Sequence, residues 1–392
     1  MTVSQTDSLL RENAHPGTPS RPGGEVAPLK VLMVTPRYLP HMGGVESHVH
    51  EVARRLARRG VELTVLTTEP GGRLPAREES EGVTIRRVPA WPSNKDYYVA
   101  PGLYRAIVQG GWDIVHVQSY HTLVAPLAMW AALRARVPYV VTFHGGGHSS
   151  RLRNALRGVQ LALLRPLLAR ATRLIAIASF EIEYYSRRLH VPRNRFVLIP
   201  NGSDLPRRVN TDPQGASAGN LIASVGRLER YKGHHRIIAA LPYILGEIPD
   251  ARLWIAGTGP YESALRGLAG RLGVADRVEI RSIPPMEREK MADELSKVAL
   301  VVLLSEFETH PIAVLEALAL GRPALVADTS GLGELARQGY AQAIPLNSAP
   351  QEVAAAVLTQ LRQPQVSQSL NLPSWDDTTT QLLTLYNNVG GR

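Results

Sequence analysis

Residues Ser305–Pro323 read S-E-F-E-T-H-P-I-A-V-L-E-A-L-A-L-G-R-P, and they follow a β-rich run, Val298–Leu304. The order strand, short loop, helix points the free N–H groups and partial positive charge of a helix N-terminus at the loop. Pro311 fits the first helical turn, where its missing N–H costs nothing. Such an end suits a phosphate, and Glu308 and Glu316, eight positions apart, can hold the hydroxyls of a sugar and a ribose. An amphipathic helix with two solvated glutamates is the alternative.

Short β-branched runs alternate with helical patterns on both sides of this stretch, which predicts an α/β fold of βαβ units and parallel sheets. The first series of predicted strands comprises Leu29–Thr35, Val61–Thr67, Val83–Val88, Asp113–Val117, Tyr139–Phe143, Arg173–Ile177 and Phe196–Pro200. The second series comprises Leu221–Val225, Arg252–Ala256, Arg277–Ile280, Val298–Leu304, Pro323–Ala327 and Gln342–Ile344. Helices are predicted at Glu46–Arg59, His234–Leu245, Tyr261–Leu272, Ile312–Leu320 and Ser374–Tyr386.

The two series predict two Rossmann-like domains, residues 29–204 and 221–372, whose parallel sheets face each other across a cleft. The polar, aperiodic segment 205–220 indicates a linker, and residues 373–392 contain a closing helix. Ligands of open α/β sheets bind beyond the carboxyl ends of the strands, so functional residues are expected in the strand-end loops. Residues 1–28 are rich in Ser, Pro, Gly and charge and have no apolar h-region, which predicts a disordered tail rather than a signal peptide.

Composition narrows the chemistry. The chain of 392 residues contains no cysteine, which excludes disulfides, thiolate–zinc sites and thiol nucleophiles, and a cytoplasmic location is the simplest expectation. No apolar run reaches the ~18 residues that span a bilayer.

The net charge of +10 suits nucleic acid, anionic lipid or an anionic substrate. Because the arginines are scattered over many helices without interleaved aromatics, we expect no nucleic-acid partner. Arginine enrichment through codon usage, without a binding role, is the alternative.

Two loops carry features that suit a nucleoside diphosphate. Gly43 and Gly44 stand at the entrance of a predicted helix, where backbone amides can approach a phosphate closely. In the second predicted domain, Arg227 and Lys232 flank a single loop between a strand and a helix. A planar guanidinium fork and a mobile ammonium together can neutralise a diphosphate. The alternative for Gly43 and Gly44 is a plain connecting loop, and the alternative for Arg227 and Lys232 is a pair of solvated charges.

Several motifs along the chain resemble those of the retaining glycosyltransferases of the GT-B type, family 4. They comprise G-G-V-E at 43–46, F-H-G-G at 143–146, I-P-N-G-S-D at 199–204, G-R-L-x-x-x-K-G at 226–233 and Glu-x7-Glu at 308–316. The resemblance covers roughly residues 29–387, and the motifs fall in the order of the family. Two departures stand out: His310-Pro311 occupies the place of a usual Phe-Gly, and Arg281 replaces a common Gly.

The resemblance implies a GT-B fold in which the closing helix crosses back onto the first domain, and a UDP- or GDP-linked sugar as donor. It implies that Glu308 holds hydroxyls of the donor sugar, that Glu316 holds the ribose and that His144 lies close to the reacting sugar. The implied donor-binding residues are Gly43, Gly44, Arg227, Lys232, Ile283 (in the nucleobase loop), Glu308, Ile312, Ala313 and Glu316. Those with an implied catalytic role are His144, Arg227, Lys232 and Glu308. The acceptor is expected to be a glycan, a lipid-linked molecule or a small molecule.

Other chemistries lack their motifs. The chain has no P-loop, no complete dinucleotide fingerprint and no Asp-x-Asp metal-holding pair, so we expect no cofactor, no metal ligands and a metal-independent mechanism. His48 and His50 are predicted to alternate on an exposed helix without metal-ligand company. A nucleotide-sugar-binding protein without transfer activity is the alternative function, and a dinucleotide-dependent oxidoreductase or epimerase is a third.

The segment Ser150–Arg173 predicts a helix with two alternative roles. An apolar stripe comprises Leu152, Leu156, Val159, Leu163 and Leu167, and Arg153, Arg157 and Arg165 lie off it. Such a basic amphipathic helix can rest on an anionic membrane, at the inner face for a cytoplasmic enzyme, and deliver it to a lipid-linked acceptor. In the other interpretation, the stripe packs on the first sheet and the arginines are solvated.

Overall fold

The computed structural model describes residues 27–41, 43–92, 99–145, 151–203, 219–284, 287–366 and 372–391, and within 151–203 it describes the side chains from residue 158 onward. The predicted tail, 1–28, and linker, 205–220, lie almost wholly outside these residues. The predicted α/β fold with two parallel sheets is confirmed.

The first domain is built on a sheet with the strand order β3-β4-β2-β1-β5-β6-β7-β8 among the described residues. Its strands are β1 (Lys30–Val34), β2 (Glu62–Glu69), β3 (Arg77–Ser80), β4 (Val83–Pro89), β5 (Ile114–Gln118), β6 (Tyr139–Thr142), β7 (Arg173–Ala176) and β8 (Phe196–Leu198). Its helices are α1 (Gly44–Arg58), α2 (Gly102–Val108), α3 (Val124–Ala135), α4 (Arg151–Leu168) and α5 (Ser179–Leu189).

The edge strand β3 is the exception to parallel pairing, since it runs antiparallel to β4. The sequence analysis did not predict it, because its residues R-E-E-S show no apolar alternation and are largely exposed. A tight turn at Glu81 and Gly82, both with positive φ, joins the two strands. A short, charged edge strand of this kind protects a sheet against pairing with another chain.

Both faces of the first sheet are covered, so its central strands are apolar throughout, as in β1, where Val31 to Val34 are fully buried. Helices α2, α3, α4 and α5 pack on one face. Helix α1 packs on the other face together with the C-terminal helix of the chain.

The second domain has the strand order β11-β10-β9-β12-β13-β14, and all described pairings in it are parallel. Its strands are β9 (Leu221–Val225), β10 (Arg252–Ala256), β11 (Val278–Ile280), β12 (Leu300–Leu303), β13 (Ala324–Ala327) and β14 (Gln342–Ile344). Its helices are α6 (His234–Glu247), α7 (Glu262–Arg271), α8 (Arg288–Ser296), α9 (Ile312–Ala319), α10 (Ser330–Arg337) and α11 (Pro350–Arg362). Both faces again carry buried apolar clusters.

The last helix, α12 (Trp375–Gly390), begins with a capping box. The Ser374 Oγ accepts a hydrogen bond from the backbone N–H of Asp377 at 3.1 Å, and Asp377 Oδ2 accepts one from the Ser374 N–H at 2.9 Å. The helix buries Trp375 and Tyr386 in the core of the first domain. At Gly202 a Cβ atom would lie 2.2 Å from the Trp375 backbone nitrogen, so a side chain there would displace the start of the helix.

No helix within the described ranges combines the length and the apolar character that crossing a bilayer requires.

Candidate active site

The loops that follow β6 and β12 touch each other, and this contact joins the two domains at the cleft. The Thr309 hydroxyl donates a hydrogen bond to the Gly145 carbonyl at 2.5 Å. The rings of Phe307 and Phe180 meet edge to face with their centroids 6.0 Å apart. The strand-end loops of the two sheets therefore form one site, as their position at the carboxyl ends of parallel strands predicts.

Glu308 and Lys232 form an ion pair on the second-domain side of the cleft, with Nζ and Oε1 2.5 Å apart. Both side chains are largely buried, at 11% and 15% exposure. Ser330 of α10 fixes the loop that carries Glu308. The backbone N–H of Glu308 donates to the Ser330 Oγ at 2.9 Å, and the Glu308 carbonyl accepts from the same hydroxyl at 2.7 Å. The arrangement holds one carboxylate and one ammonium together at the cleft.

Arg227 approaches the cleft from the loop after β9, where its guanidinium donates to the Tyr231 hydroxyl at 2.9 Å. Across the cleft lies Glu46 on α1. Burial raises the pKa of this carboxyl, and the charges of Arg37 and Arg227 partly offset the rise. Glu46 was quoted within the motif at 43–46 but was given no role, and only the tertiary structure brings it opposite Arg227.

The N-terminus of α1 is open at Gly44, whereas at Gly43 the Glu46 carboxylate lies close, since a Cβ atom there would be 2.7 Å from the Glu46 Oε2. Gly43 is the N-cap residue in an extended conformation, and no side chain caps the helix among the described residues. At Gly44 no heavy atom of the described residues lies within 4 Å of the place of a Cβ, so the backbone is approachable. Gly44 stands where an anion can reach the helix N–H groups.

The N-terminus of α9 offers a second such end. Pro311 is the N-cap and lies just outside the helix rather than in its first turn, and no described side chain caps the N–H groups of Ile312 and Ala313. The Ile312 side chain packs against the core cluster of the first domain, which brings this helix end to the cleft.

Glu316 is buried, which contradicts the alternative of a solvated glutamate at this position. It is only 4% exposed and is paired through Oε1 with Arg288, the first residue of α8. Burial raises the pKa of Glu316, and the charge of Arg288 opposes that rise. The sequence gave no signal for Arg288, which is 28 positions away in the chain.

Ile283 is buried beside Trp254 in an apolar cluster, so its side chain serves the core next to the predicted nucleobase loop. Arg281, which replaces a common Gly, forms ion pairs with Glu279 and Glu294, and its guanidinium lies 5.0 Å from the centre of the Trp254 ring. The end of that loop, residues 285 and 286, lies outside the described residues.

His144 is buried at the end of β6 and is held by Gln118. Its Nε2 lies 2.7 Å from the Gln118 Oε1, so the ring donates from Nε2 to the amide oxygen. Burial lowers the pKa of His144 well below its usual range, which keeps the ring neutral. Gln118 Nε2 lies 3.2 Å from the Nε2 of His116, whose Nδ1 is 2.5 Å from the Tyr386 hydroxyl on α12. A polar chain thus links the last helix to His144.

The prediction that His48 and His50 lie on an exposed face of a helix is wrong. They are 1% and 9% exposed. Trp375 of α12 covers His48, whereas His50 lies against Tyr38 and Glu81. His48 is hydrogen-bonded through Nδ1 to the Asn201 Oδ1 at 2.8 Å, its ring lies 4.9 Å from that of His144, and burial lowers its pKa to about 4.

In the part of the chain that the structure describes, no cluster of three or more His, Cys, Asp or Glu side chains is arranged to hold a metal ion.

Helix α4 buries a different face from the one predicted. Leu161, Leu164 and Leu168 pack on the sheet, whereas Val159 and Leu163, members of the predicted stripe, are 56% and 76% exposed. Packing of the stripe on the first sheet is therefore wrong for these two residues. Arg165 is exposed, and the side chains of the other predicted members up to residue 157 lie outside the described residues.

Solved structures share this two-domain architecture. A sucrose-phosphate synthase from Thermosynechococcus elongatus superposes with a TM-score of 0.73 at 21% identity, covering 93% of this chain and 99% of that one. A structure of Anabaena HepE in complex with UDP and glucose gives a TM-score of 0.71 at 18% identity, covering 91% of this chain and 99% of that one. The fold is that of the GT-B glycosyltransferases.

The sequence matches two families, Glycosyltransferase Family 4 over residues 42–207 and Glycosyl transferases group 1 over residues 210–371. The chain belongs to these group 1, family 4 glycosyltransferases. A D-inositol 3-phosphate glycosyltransferase of Nocardiopsis dassonvillei is 29% identical, over 88% of this chain and 89% of the relative. A GDP-mannose:cellobiosyl-diphosphopolyprenol alpha-mannosyltransferase of Xanthomonas oryzae is 28% identical, over 83% of this chain and 86% of the relative.

Proposed function

We propose that this glycosyltransferase moves a hexosyl group from a UDP- or GDP-linked donor to a hydroxyl of its acceptor, with retention of anomeric configuration and without a metal ion. One observation carries the proposal: two uncapped helix N-termini, at Gly44 and Ile312, and the Lys232–Glu308 ion pair lie at the same cleft. Cations and helix amides are the groups that hold a diphosphate.

The diphosphate is the leaving group, and its growing negative charge is what the site has to stabilise. Arg227 and Lys232 supply two positive charges, and the amides of Gly43, Gly44, Ile312 and Ala313 supply partial ones. Because these groups are fixed before the donor arrives, they need little reorganisation during the reaction. With this set of groups the proposed mechanism does without a divalent cation.

Retention follows in this proposal from attack on the same face that the diphosphate leaves. The acceptor oxygen forms a bond to C1 as the bond from C1 to the phosphate oxygen breaks, and the acceptor proton passes to the departing phosphate. Glu308 is paired with Lys232 and serves to hold donor hydroxyls, not as the covalent nucleophile of a retaining glycosidase. His144, neutral and fixed by Gln118, orients the sugar as a hydrogen-bonding group.

Two relatives illustrate the acceptor class, since one is named for an inositol phosphate and the other for a diphosphopolyprenol-linked sugar. Within the proposal, the acceptor enters from the first domain, as a glycan, a lipid-linked molecule or a small molecule. A cytoplasmic location with peripheral contact to the inner membrane face suits the second of these.

Incubation of the purified protein with a panel of UDP- and GDP-sugars and acceptors, with and without excess chelator, tests the proposal. We expect free nucleoside diphosphate and a product whose anomeric configuration, read by NMR, matches that of the donor in both conditions. Inversion, or loss of activity on chelation that magnesium or manganese restores, would overturn it. Donor binding in calorimetry without any turnover would instead favour a nucleotide-sugar-binding protein.

A further inference from the structure

The outer side of α3 and α4 exposes large apolar side chains. We call these side chains the α3–α4 surface, and they comprise Leu123, Leu127, Trp130, Val159, Leu163 and Leu167. Leu123 and Trp130 are 50% and 49% exposed, and Leu163 is 76% exposed. Their spacing of three or four positions places each set along one side of its helix. Helix α4 buries a separate apolar side against the sheet, with Leu167 at its margin, so the exposed Val159 and Leu163 add little to the core.

A groove joins the two helical stripes into one surface. Leu123, Leu127 and Trp130 line it from α3, Leu167 lines it from α4, and Val99 closes one end. Its volume is about 430 Å³, and every side chain that lines it is apolar. A groove of this size and character takes hydrocarbon rather than a sugar.

The same part of the chain carries a large net positive charge. Residues 99–173 contain nine arginines and a single acidic residue, Asp113, a surplus of eight in a chain whose net charge is +10. The described arginines at positions 105, 134, 136, 165, 170 and 173 are exposed. Apolar side chains framed by arginines suit a surface of anionic headgroups over hydrocarbon.

We propose that the α3–α4 surface docks on an anionic lipid bilayer and that the groove takes lipid hydrocarbon. A second copy of this chain is the less favourable occupant, because a symmetric dimer through this surface would bring the arginines of both copies together. An anionic bilayer matches the arginines with opposite charge, and a dimer does not.

The position of the surface has a consequence for the substrate, which rests on the proposed transferase function. Helix α4 begins at residue 151, soon after Gly145 at the cleft. With a rise of about 1.5 Å per residue, Leu163 lies about 18 Å along the helix from its start. A docked enzyme thus holds the cleft within reach of the headgroups, and the acceptor class is a lipid-linked sugar or phosphate whose chain remains in the bilayer.

Co-sedimentation of the full-length protein with vesicles tests the docking. The probes are vesicles of phosphatidylcholine alone and vesicles with added phosphatidylglycerol, at low and at physiological salt. We expect binding to the anionic vesicles that weakens with salt. The double variant Trp130→Ser/Leu163→Ser should bind at least about tenfold more weakly. Its matched control, Tyr243→Ser/Leu272→Ser, alters two side chains of the second domain that are 46% and 37% exposed and should bind like the wild type.

The charge contribution is tested by Arg134→Glu/Arg165→Glu against Arg252→Glu/Arg271→Glu, a pair of exposed arginines in the second domain. We expect the first pair to weaken binding at least about tenfold and to flatten its salt dependence. No binding of the wild type, or equal loss in test and control variants, would overturn the proposal. A wild-type dimer in sedimentation velocity that Trp130→Ser/Leu163→Ser abolishes, without vesicle binding, would assign the surface to a second copy and also overturn it.

Calorimetry with UDP- and GDP-sugars in the absence of lipid separates this proposal from the proposed function. The Trp130→Ser/Leu163→Ser variant should keep wild-type donor affinity and lose turnover, about tenfold or more, only with an acceptor embedded in vesicles. Failure of every donor to bind, with vesicle binding intact, would refute the transferase proposal and leave the docking surface supported. Equal turnover of variant and wild type on the embedded acceptor would overturn the substrate class.

Discussion

Lys232 and Glu308 are 76 positions apart in the chain, yet their charged atoms lie 2.5 Å apart at the cleft. The sequence predicted both residues through two separate motifs, but their pairing depends on the adjacent strands β9 and β12, which bring the two loops together. The partners of Glu316 and Glu46 could not be predicted, because Arg288 and Arg227 reach them only through the packing of whole elements.

Arg227→Ala and Lys232→Ala should each lower turnover by about 10²-fold or more, because each removes a positive charge that, in the proposed mechanism, stabilises the departing diphosphate. The measurement is steady-state release of nucleoside diphosphate. Arg230→Ala, in the same loop but exposed and in contact with the Tyr261 hydroxyl at 3.5 Å, is the matched control and should stay within about twofold. Near-normal turnover of both test variants, with intact thermal unfolding, would contradict the assignment.

Ionisation of the buried Glu181 carboxyl should lower the free energy of unfolding as the pH rises. This carboxyl is 1% exposed, accepts a hydrogen bond from the Ile177 N–H at 2.9 Å, and burial raises its pKa to about 8. Because the folded state holds this proton more tightly than the unfolded state, the free energy of unfolding falls between the ordinary carboxyl pKa and about pH 8.

Chemical denaturation at several pH values measures that dependence. Glu181→Gln should show a smaller decrease in stability over this window than the wild type, because the amide does not titrate. Glu183→Gln, two positions along α5, is the control and should keep the wild-type slope. The same slope in Glu181→Gln as in the wild type would refute this role of Glu181.

Helices were easier to predict than the faces they bury. The stripe of α4 was recognised from its spacing, but the helix buries Leu161, Leu164 and Leu168 instead, since the arrangement of α3 and α5 decides which side meets the sheet. The burial of His48 on α1 has the same origin, because α12 covers that side from more than 300 positions away in sequence. Periodicity in one element carries no information on its neighbours.

Tyr386→Phe tests whether α12 acts on the site through the polar chain from Tyr386 through His116 and Gln118 to His144. Loss of the hydroxyl leaves His116 Nδ1 without this partner in a buried place, which should disturb the orientation of Gln118 and then of His144. We expect kcat to fall about tenfold with KM for the donor within about twofold. Thr384→Ala, exposed on the same helix, should leave both constants unchanged. A rise in KM alone, or a loss of stability without a change in kcat, would argue against a positioning role.

The two-domain architecture was predictable because each sheet buries both faces and its strands are therefore short apolar runs with helical patterns between them. The antiparallel strand β3 was missed, since a charged edge strand has no such pattern. How the domains touch was also beyond the sequence. The contact uses Gly145 and Thr309, 164 positions apart, and depends on the path of two loops.

That contact makes a prediction for the molecule as a whole. A Cβ atom at Gly145 would lie 2.7 Å from the Thr309 Oγ1 and 2.8 Å from the Glu181 Oε1, so Gly145→Val should force the two loops apart. In the proposed function, most of the groups that bind the nucleotide lie in the second domain, whereas transfer needs both domains. We therefore expect nucleotide affinity in calorimetry within about threefold of the wild type and turnover lower by about 10²-fold. Gly158→Ala, whose added Cβ would lie 3.7 Å from the Arg188 Nη1, is the control in the same domain. Small-angle scattering should show a larger radius of gyration for Gly145→Val alone, and unchanged turnover in this variant would mean that closure at Gly145 is not required for transfer.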